Sequence, residues 1–394
     1  VDTTTPDLHD TASTASGGRP DRYDVVVVGA GVIGLAHAAE AVDRGLRVLV
    51  VERDHRATGA SVRNFGHACV TAQSGDMLEL ALAARERWLR HAHDGRFPAV
   101  ASGAVAVARS RAELAVLEEL AASRESGQVR LLAAPETVDR IGGVGDPTIV
   151  GGAFLRDDVR VDPRAAVAGL AALLASRGVT FRWGTAYLGW EDGLVRTSRG
   201  TVRADRTIVC VGHDVDQLYP DLAEQHGIRR CGLQMALVEP PTGLSITPAV
   251  LTGTSMLRYP AFAETAAATV LRQEITRERP DLVAMDANVM LTQRPDGSLV
   301  VGDSHRYDLT LDPFLDEGVS ATLLQDVATL LGVGGLRVRQ RWMGVYAHAP
   351  EPYLVAHPAP GLTVVSVTSG VGMTISHGLA ARTWAGLEAL PAPV

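Results

Sequence analysis

Residues Tyr23–Glu52 read YDVVVVGAGVIGLAHAAEAVDRGLRVLVVE, and the reading of this stretch decides the fold. A continuous β-branched run, Val25 to Val28, enters a glycine turn; an alanine-rich segment follows, and a second valine-rich run ends in an acid. The pattern is a β-α-β unit with G-x-G-x-x-G at its turn. Gly29 makes the strand-to-helix turn, Gly31 lets the backbone approach a pyrophosphate, and Gly34 lets helix and strand pack closely. A diphosphate then lies over unpaired N–H groups at the positive end of the helix dipole. Glu52 is placed to accept hydrogen bonds from both ribose hydroxyls, where a 2′-phosphate is repelled. A glycine turn alone is weak evidence, but strand, helix and acid stand here at the right spacing, so these residues predict a dinucleotide site.

The chain has 394 residues, more than one hydrophobic core usually serves, so two domains are expected. Hydrophobic residues make up 46% and charged residues 21%, the composition of an ordinary globular enzyme. With 37 basic against 45 acidic residues the net charge is −8, and no basic stripe with interleaved aromatics occurs, which argues against nucleic acid as a partner. Three scattered cysteines, Cys69, Cys210 and Cys231, make neither a disulfide framework nor a zinc site, and they suit a reducing cytoplasm. No apolar run is long enough to span a bilayer, so no membrane partner is expected.

Outward from the β-α-β unit the pattern alternates between two domains. Residues 1–22 read as a flexible tail with almost nothing to bury. A polar, glycine-punctuated loop, RDHRATGASVRNFGHACV, follows Glu52 and precedes a helix from Asp76 to His91. Gly103 to Ala108 alternates like a strand, Ser110 to Ser123 has helical spacing and Pro135 to Ile141 is a short helix. Asp162-Pro163 opens a helix ending near Gly178; strands are expected around Phe181, Leu194 and Val202, and again over Thr207 to Gly212. Gly232 to Glu239, Ser255 to Pro260 and Asn288 to Gly302 read as strands of an antiparallel sheet, the last turned at Pro295-Asp-Gly297. Leu311 to Leu331 is largely helical, with Gly332 as its stop, and Leu362 to Val367 is a last strand followed by TSGVGMT and a helix to about Leu387. The boundaries are a cofactor domain over 23–100, 151–228 and 346–394 and a substrate domain over 101–150 and 229–345.

Four separated places in this order carry a resemblance: the Gly29 to Glu52 unit, GASVRNFGH (Gly59 to His67), IVCVGH (Ile208 to His213) and SGVGMT (Ser369 to Thr374). Together they resemble the D-amino-acid-oxidase-like flavoenzymes, the group containing glycine oxidase, sarcosine oxidase and D-amino acid dehydrogenase. The resemblance implies an FAD-binding Rossmann-like (glutathione-reductase type) α/β domain with a discontinuous α+β substrate domain built on a mixed antiparallel sheet with helices. It implies extended FAD held by Gly29, Gly31, Val32, Ile33, Gly34, Glu52 and Arg53, by Ala60, Ser61, Asn64, Phe65, Gly66 and His67, and by Gly212. Gly370, Val371, Gly372, Met373 and Thr374 fall where backbone amides meet the pyrimidine edge of the isoalloxazine. The implied reaction takes a hydride from the carbon next to an amine nitrogen, giving an imine that hydrolyses. Covalent attachment is not expected: no cysteine stands near Trp342, and His67 lies beyond the position of the covalent histidine of dimethylglycine dehydrogenase.

Where glycine oxidase carries WAGLR with a carboxylate-gripping arginine, this chain reads WMGVY, Trp342 to Tyr346, so Tyr346 takes the arginine's place. RNFGH, LQM (Leu233 to Met235), RYP (Arg258 to Pro260) and the WMGVY strand resemble more closely a subgroup associated with phosphonate catabolism. That implies an aminophosphonate substrate, such as 2-aminoethylphosphonate or its N-methyl derivative, with Arg63, Arg258, Arg306 and Arg341 as candidate anion binders. His67, Tyr259, Tyr346 and Trp342 are the other candidates for the reacting end; Gln234 is expected to floor the pocket, whereas Met235, Cys69 and Cys231 read as packed residues. The alternatives are an oxidase or dehydrogenase of N-methyl or D-amino acids, its carboxylate held by Arg258 or Arg306, and a nucleotide module that only binds a partner. The sequence leaves open the electron acceptor, oxygen or another, and the oligomeric state.

Overall fold

The computed structural model describes residues 21–389. The tail expected over 1–22 lies outside these except for Asp21 and Arg22, and Arg22 already opens the first strand. Strand β1 (Arg22–Val28), helix α1 (Val32–Asp43) and strand β2 (Val48–Val51) form the expected unit, with β1 and β2 parallel. Their valines are buried on both faces because helices cover the sheet, as a central parallel sheet requires. On its other side β1 pairs in parallel with Gly200–Val209, which in turn pairs with Leu362–Val367. The last strand of the chain therefore reaches the same sheet as the first.

Gly200–Val209 is one continuous strand, so the two segments expected around Val202 and at Thr207 are a single element. Its N-terminal half pairs with the hairpin Tyr187–Glu191 and Leu194–Thr197 at the sheet edge, and its C-terminal half carries Ile208 and Val209 into the core. Two helices cover one face. Gly75–Gly95 packs against the C-terminal helix Gly372–Ala389, and both lie near α1.

A second, nine-stranded sheet has the long strand Arg229–Val238 next to one edge, between Val338–His348 on its outer side and Leu299–Gly302 on its inner side. Ala104–Ala108, Val129–Ala133 and Gly151–Leu155 extend its far side. Two boundaries shift as a result. Gly151–Leu155 belongs to this second sheet rather than to the cofactor half expected to resume at 151, and Val338–His348 carries it past the expected limit at 345.

Two other expectations are corrected. Ser255–Pro260 is not a strand: Gly253–Met256 and Pro260–Ala263 are single helical turns, started by a Thr252 capping box and by Pro260 at the first helical position. The strand there is Ala249–Leu251. The helix expected from Leu311 starts at Glu317, where Asp316 caps it by accepting from Gly318 and Val319, and it ends at Leu330 before Gly332 at φ +67°. The Met290–Gln293 and Leu299–Gly302 hairpin stands as read.

Candidate active site

Two helix N-termini and one loop build the site. The Gly29 turn brings the start of α1 against the end of β2, and the Ser369–Thr374 turn brings in the start of the C-terminal helix. Between them runs a crevice of ≈ 360 Å³ lined by Gly29, Gly31, Val32, Ile33, Glu52 and Arg53, by Ala60, Ser61, Asn64, Phe65 and His67, by Gly212, and by Gly370 through Thr374. Segments from both ends of the chain and from the second sheet thus face one cavity, of the size ligand sites have.

The turn tolerates only glycine where it is tightest. A Cβ on Gly29, which sits at φ +100°, would lie 2.4 Å from the Cys210 carbonyl oxygen, and one on Gly34 would lie 2.0 Å from the Gly29 carbonyl oxygen. Gly34 therefore serves helix–strand packing and does not line the crevice. Glu52 is fixed across the opening: its carboxylate accepts from the Ala30 N–H at 2.8 Å and the Asp54 N–H at 3.0 Å. Each oxygen keeps lone-pair capacity for a hydroxyl. Ser61 Oγ accepts from the Val32 N–H at 2.9 Å, tying the loop to the first turn of α1. Arg53 reaches over the crevice to Asp214, 2.7 Å away, linking its two walls.

Asn64 folds the loop that carries Arg63 to His67. Its amide donates to the Ala60 and Ser61 carbonyls and its oxygen accepts from Gly66. Gly66 is needed for packing, because a Cβ there would meet the Val161 carbonyl oxygen at 1.8 Å. His67 is buried, with Nε2 2.7 Å from Asp158 Oδ2; the other Asp158 oxygen accepts from the Thr71 N–H. A carboxylate only accepts, so Nε2 carries the proton, and Nδ1 has no partner among the described residues. Thr374 Oγ1 accepts from the Cys69 N–H, and Trp88 Nε1 donates to the Met373 carbonyl, so the glycine turn near the C-terminus is anchored from two sides.

Beyond Tyr259 and Val371, which line both, the crevice adjoins a chamber of ≈ 490 Å³. Arg258 stands at this junction. Its Nη2 donates to the Tyr346 hydroxyl at 2.9 Å and to Tyr307 at 3.4 Å, while Nη1 lies 3.2 Å from Asp286 Oδ2. Tyr307 donates to the same Asp286 oxygen at 2.8 Å. Burial would lower the Arg258 pKa, but Tyr346, Tyr307 and Asp303 outweigh it and hold the cation above its ordinary value. Burial pushes the Tyr346 phenol well up and raises Tyr259 and Tyr307 as well, so all three hydroxyls keep their protons. Tyr346 packs on Gly370: a Cβ there would lie 3.0 Å from the Tyr346 Cζ. Behind the cation, burial pushes the Asp303 carboxyl up to about 7, and burial and Arg258 bring His305 down to about 3.

The remaining expected residues lie elsewhere. Trp342 lines neither cavity; its indole donates to the Arg63 carbonyl and its ring faces Arg164 at 5.0 Å. Arg63 lines the crevice but donates to the Met343 carbonyl, Arg341 pairs with Glu317 and Arg306 is exposed, so the four arginines do not gather around one anion. Gln234 bonds Ser320 instead of flooring the pocket, and Met235 is core. Burial raises the thiols of Cys69 and Cys231, the latter to about 12, in keeping with packed residues. Sequence reasoning missed Tyr307, Asp286, Asp303 and Met290, since each meets the site from a strand or turn of the second sheet with no local motif.

The comparisons with known proteins agree with this geometry. The family model described as DAO, FAD dependent oxidoreductase, matches residues 24–384. A D-amino acid dehydrogenase of Phenylobacterium zucineum (strain HLK1) is 31% identical over 290 residues, 57% of this chain and just under two thirds, 66%, of that relative. Glycine oxidase from Geobacillus kaustophilus superposes with a TM-score of 0.75 at 21% identity, covering 93% of this chain and 94% of the other. L-alpha-glycerophosphate oxidase from Mycoplasma pneumoniae, solved with FAD bound, superposes at 0.72 with 19% identity, covering 95% and 97%. A crevice with two helix N-termini, a glycine turn without room for side chains and an acid at the end of β2 fits that cofactor. The chain belongs to the DAO family of FAD-dependent oxidoreductases.

Proposed function

We propose that this protein oxidises a small amino acid or N-alkyl amino acid, with the substrate carboxylate held by Arg258 and the Tyr346 hydroxyl. The observation that carries this reading is the junction itself. A half-buried guanidinium lies 2.9 Å from a phenol that packs on Gly370, where the crevice opens into the chamber. Tyr346 accepts from Arg258 and so keeps its own proton to donate, whereas the Tyr307 proton is committed to Asp286. Tyr307 and Asp286 therefore orient the guanidinium, and Arg258 with Tyr346 does the binding. The cation lost from the WMGVY strand is supplied by a different element.

FAD, when bound, supplies a two-electron acceptor for the C–H next to the amine nitrogen. The protein's part is placement. Tyr259, Leu233 and Met290 present a largely apolar wall that excludes water, and the clamp fixes the carboxylate end so that the neighbouring carbon is turned toward the crevice. We propose non-covalent attachment of the cofactor, because the three buried cysteines have raised thiols and His67 is engaged with Asp158.

Charge favours a carboxylate over a phosphonate. A dianion would meet one guanidinium already shared with Asp286 and would stand near Asp303. The names of the similar proteins, a D-amino acid dehydrogenase and a glycine oxidase, support the same class. The test is anaerobic mixing of the flavin-loaded protein with glycine, sarcosine, D-alanine and 2-aminoethylphosphonate while flavin absorbance is followed. Bleaching by the amino acids is expected; bleaching by the phosphonate alone would reverse the assignment.

A further inference from the structure

Asp303 lines neither the crevice nor the chamber, yet it stands within electrostatic reach of Arg258. Its side chain is buried, and Oδ1 has no partner among the described residues. Its main chain is tied to Asn288 in both directions, two residues from the Asp286 that holds the guanidinium. His305 joins the two acids. Its Nδ1 lies 2.8 Å from the Asp286 carbonyl oxygen, which can only accept, so Nδ1 carries the proton and the neutral ring keeps a lone pair at Nε2. That nitrogen is 4.0 Å from Asp303 Oδ2. A lone pair facing a carboxyl favours the acid over the carboxylate, as burial does, and Asp303 changes form at about pH 7. The groups packed around it keep their charge through neutral pH. Burial holds the protons on Tyr259, beside Arg258, and on Cys231, from the strand Arg229–Val238; burial and then Arg258 keep His305 and His348 neutral. Arg258 and Asp286 cancel. A substrate carboxylate therefore meets a neutral cluster while Asp303 is protonated and an anionic one after it ionises. Arg272, also on the chamber, is charged in both states and does not alter that difference.

We infer that Asp303 is a positioning residue of the clamp, and that the substrate carboxylate binds together with a proton taken up from solvent onto Asp303. This rests on the reading that Arg258 grips the carboxylate. Asp303 touches no part of either cavity and acts through the guanidinium: as an acid it leaves Arg258 with one anionic partner, Asp286, and as a carboxylate it adds a second that competes with the substrate. The only bond formed in the coupled step is the O–H of Asp303. A like charge on the far side of a shared cation is an effect of about one pKa unit, so full ionisation weakens binding about tenfold.

The experiment titrates the flavin-loaded protein with propanoate, which stays ionised and has no amine to oxidise, between pH 6.5 and 8.5 while the flavin absorbance change is followed. Wild type, Asp303→Asn and Arg258→Gln are compared, and proton uptake is read with an indicator dye in weakly buffered solution at pH 7.5. In the wild type Kd should rise roughly fivefold across the range, with about half a proton taken up per propanoate bound at pH 7.5. Asp303→Asn, a neutral mimic of the acid, should bind with a flat pH profile and no uptake. A merely structural role would shift Kd by the same factor at every pH and leave the uptake in place, and that result would overturn the inference. So would a pH-independent Kd without uptake in the wild type, a measurement that needs no variant to fold. If Arg258→Gln has lost propanoate while the wild type shows no uptake, the clamp stands and only the proton coupling falls. Wild-type affinity in Arg258→Gln would remove both.

Discussion

Arg258 shows how one side chain can be legible as a type and illegible as a contact. It pairs with residues 28, 49 and 88 positions away, so no local pattern marks it as the clamp. Arg258→Gln removes a half-buried charge that we propose binds the substrate, and truncating such a hydrogen-bonded partner costs about 2–5 kcal/mol, the lower end applying to a side chain that keeps some solvent. Apparent affinity for carboxylate substrates should therefore fall by roughly thirtyfold or more, with flavin content unchanged; an unaltered KM would refute the clamp. Asp303 gives a second prediction. Burial raises its pKa from the ordinary 3.8 to about 7, so between those values the folded protein holds more protons than the unfolded chain, and stability from this group falls as pH rises through that window. Asp303→Asn removes the penalty of the ionised form. Its stabilising effect should be larger at pH 8 than at pH 5, up to a few kcal/mol; denaturant melts at the two pH values give the comparison, and an equal effect at both would contradict the assignment.

At the scale of elements, the glycine turn near the C-terminus depends on a helix pair formed by segments almost three hundred residues apart. Gly75–Gly95 and Gly372–Ala389 cross so closely at Gly378 that a Cβ there would lie 2.0 Å from the Leu80 carbonyl oxygen. Gly378→Ala must push the helices apart, an overpacking that typically costs about 1–3 kcal/mol. Because Trp88 on the first helix donates to the Met373 carbonyl at the start of the second, the displacement reaches the crevice. Trp88→Phe keeps most of the packing but loses that bond, worth about 1 kcal/mol. Both variants should release FAD at lower denaturant concentration than wild type, read as free flavin fluorescence, with Gly378→Ala the more affected. Unchanged retention in Gly378→Ala would mean that the turn is held by its own strand instead of by the helix crossing.

Across the whole molecule, α1 and these two helices enclose three histidines whose protonation opposes folding. Burial lowers His37 to about 4, burial with Arg90 lowers His91 to about 4, and burial with His91 lowers His377 well below its ordinary value; both His377 ring nitrogens lack partners among the described residues. Their folded pKa values lie below the unfolded 6.5, so the stability they contribute is complete above that value and is lost as pH falls from 6.5 toward 4. The melting temperature should drop steeply over that interval, and His377→Gln should make the drop shallower; a flat profile down to pH 4.5 would show that these groups titrate normally. The sequence by itself determined the β-α-β unit, the helices opened by Ser110 and Asp162, the Asn288–Gly302 hairpin and the glycine turns, because propensity, capping and turn chemistry act over a few residues. It misread Ser255–Pro260, where a capping box and a proline outweigh the strand-like composition. It also named Arg258, Tyr259, Tyr346 and His67 as candidates without assigning their contacts. Only the tertiary structure decided which arginine stands at the junction, which of its neighbours orient it and that Trp342, Arg306 and Arg341 face away. Those choices follow from strand register and helix crossing, which are set by burial across the entire chain, and local sequence does not encode them.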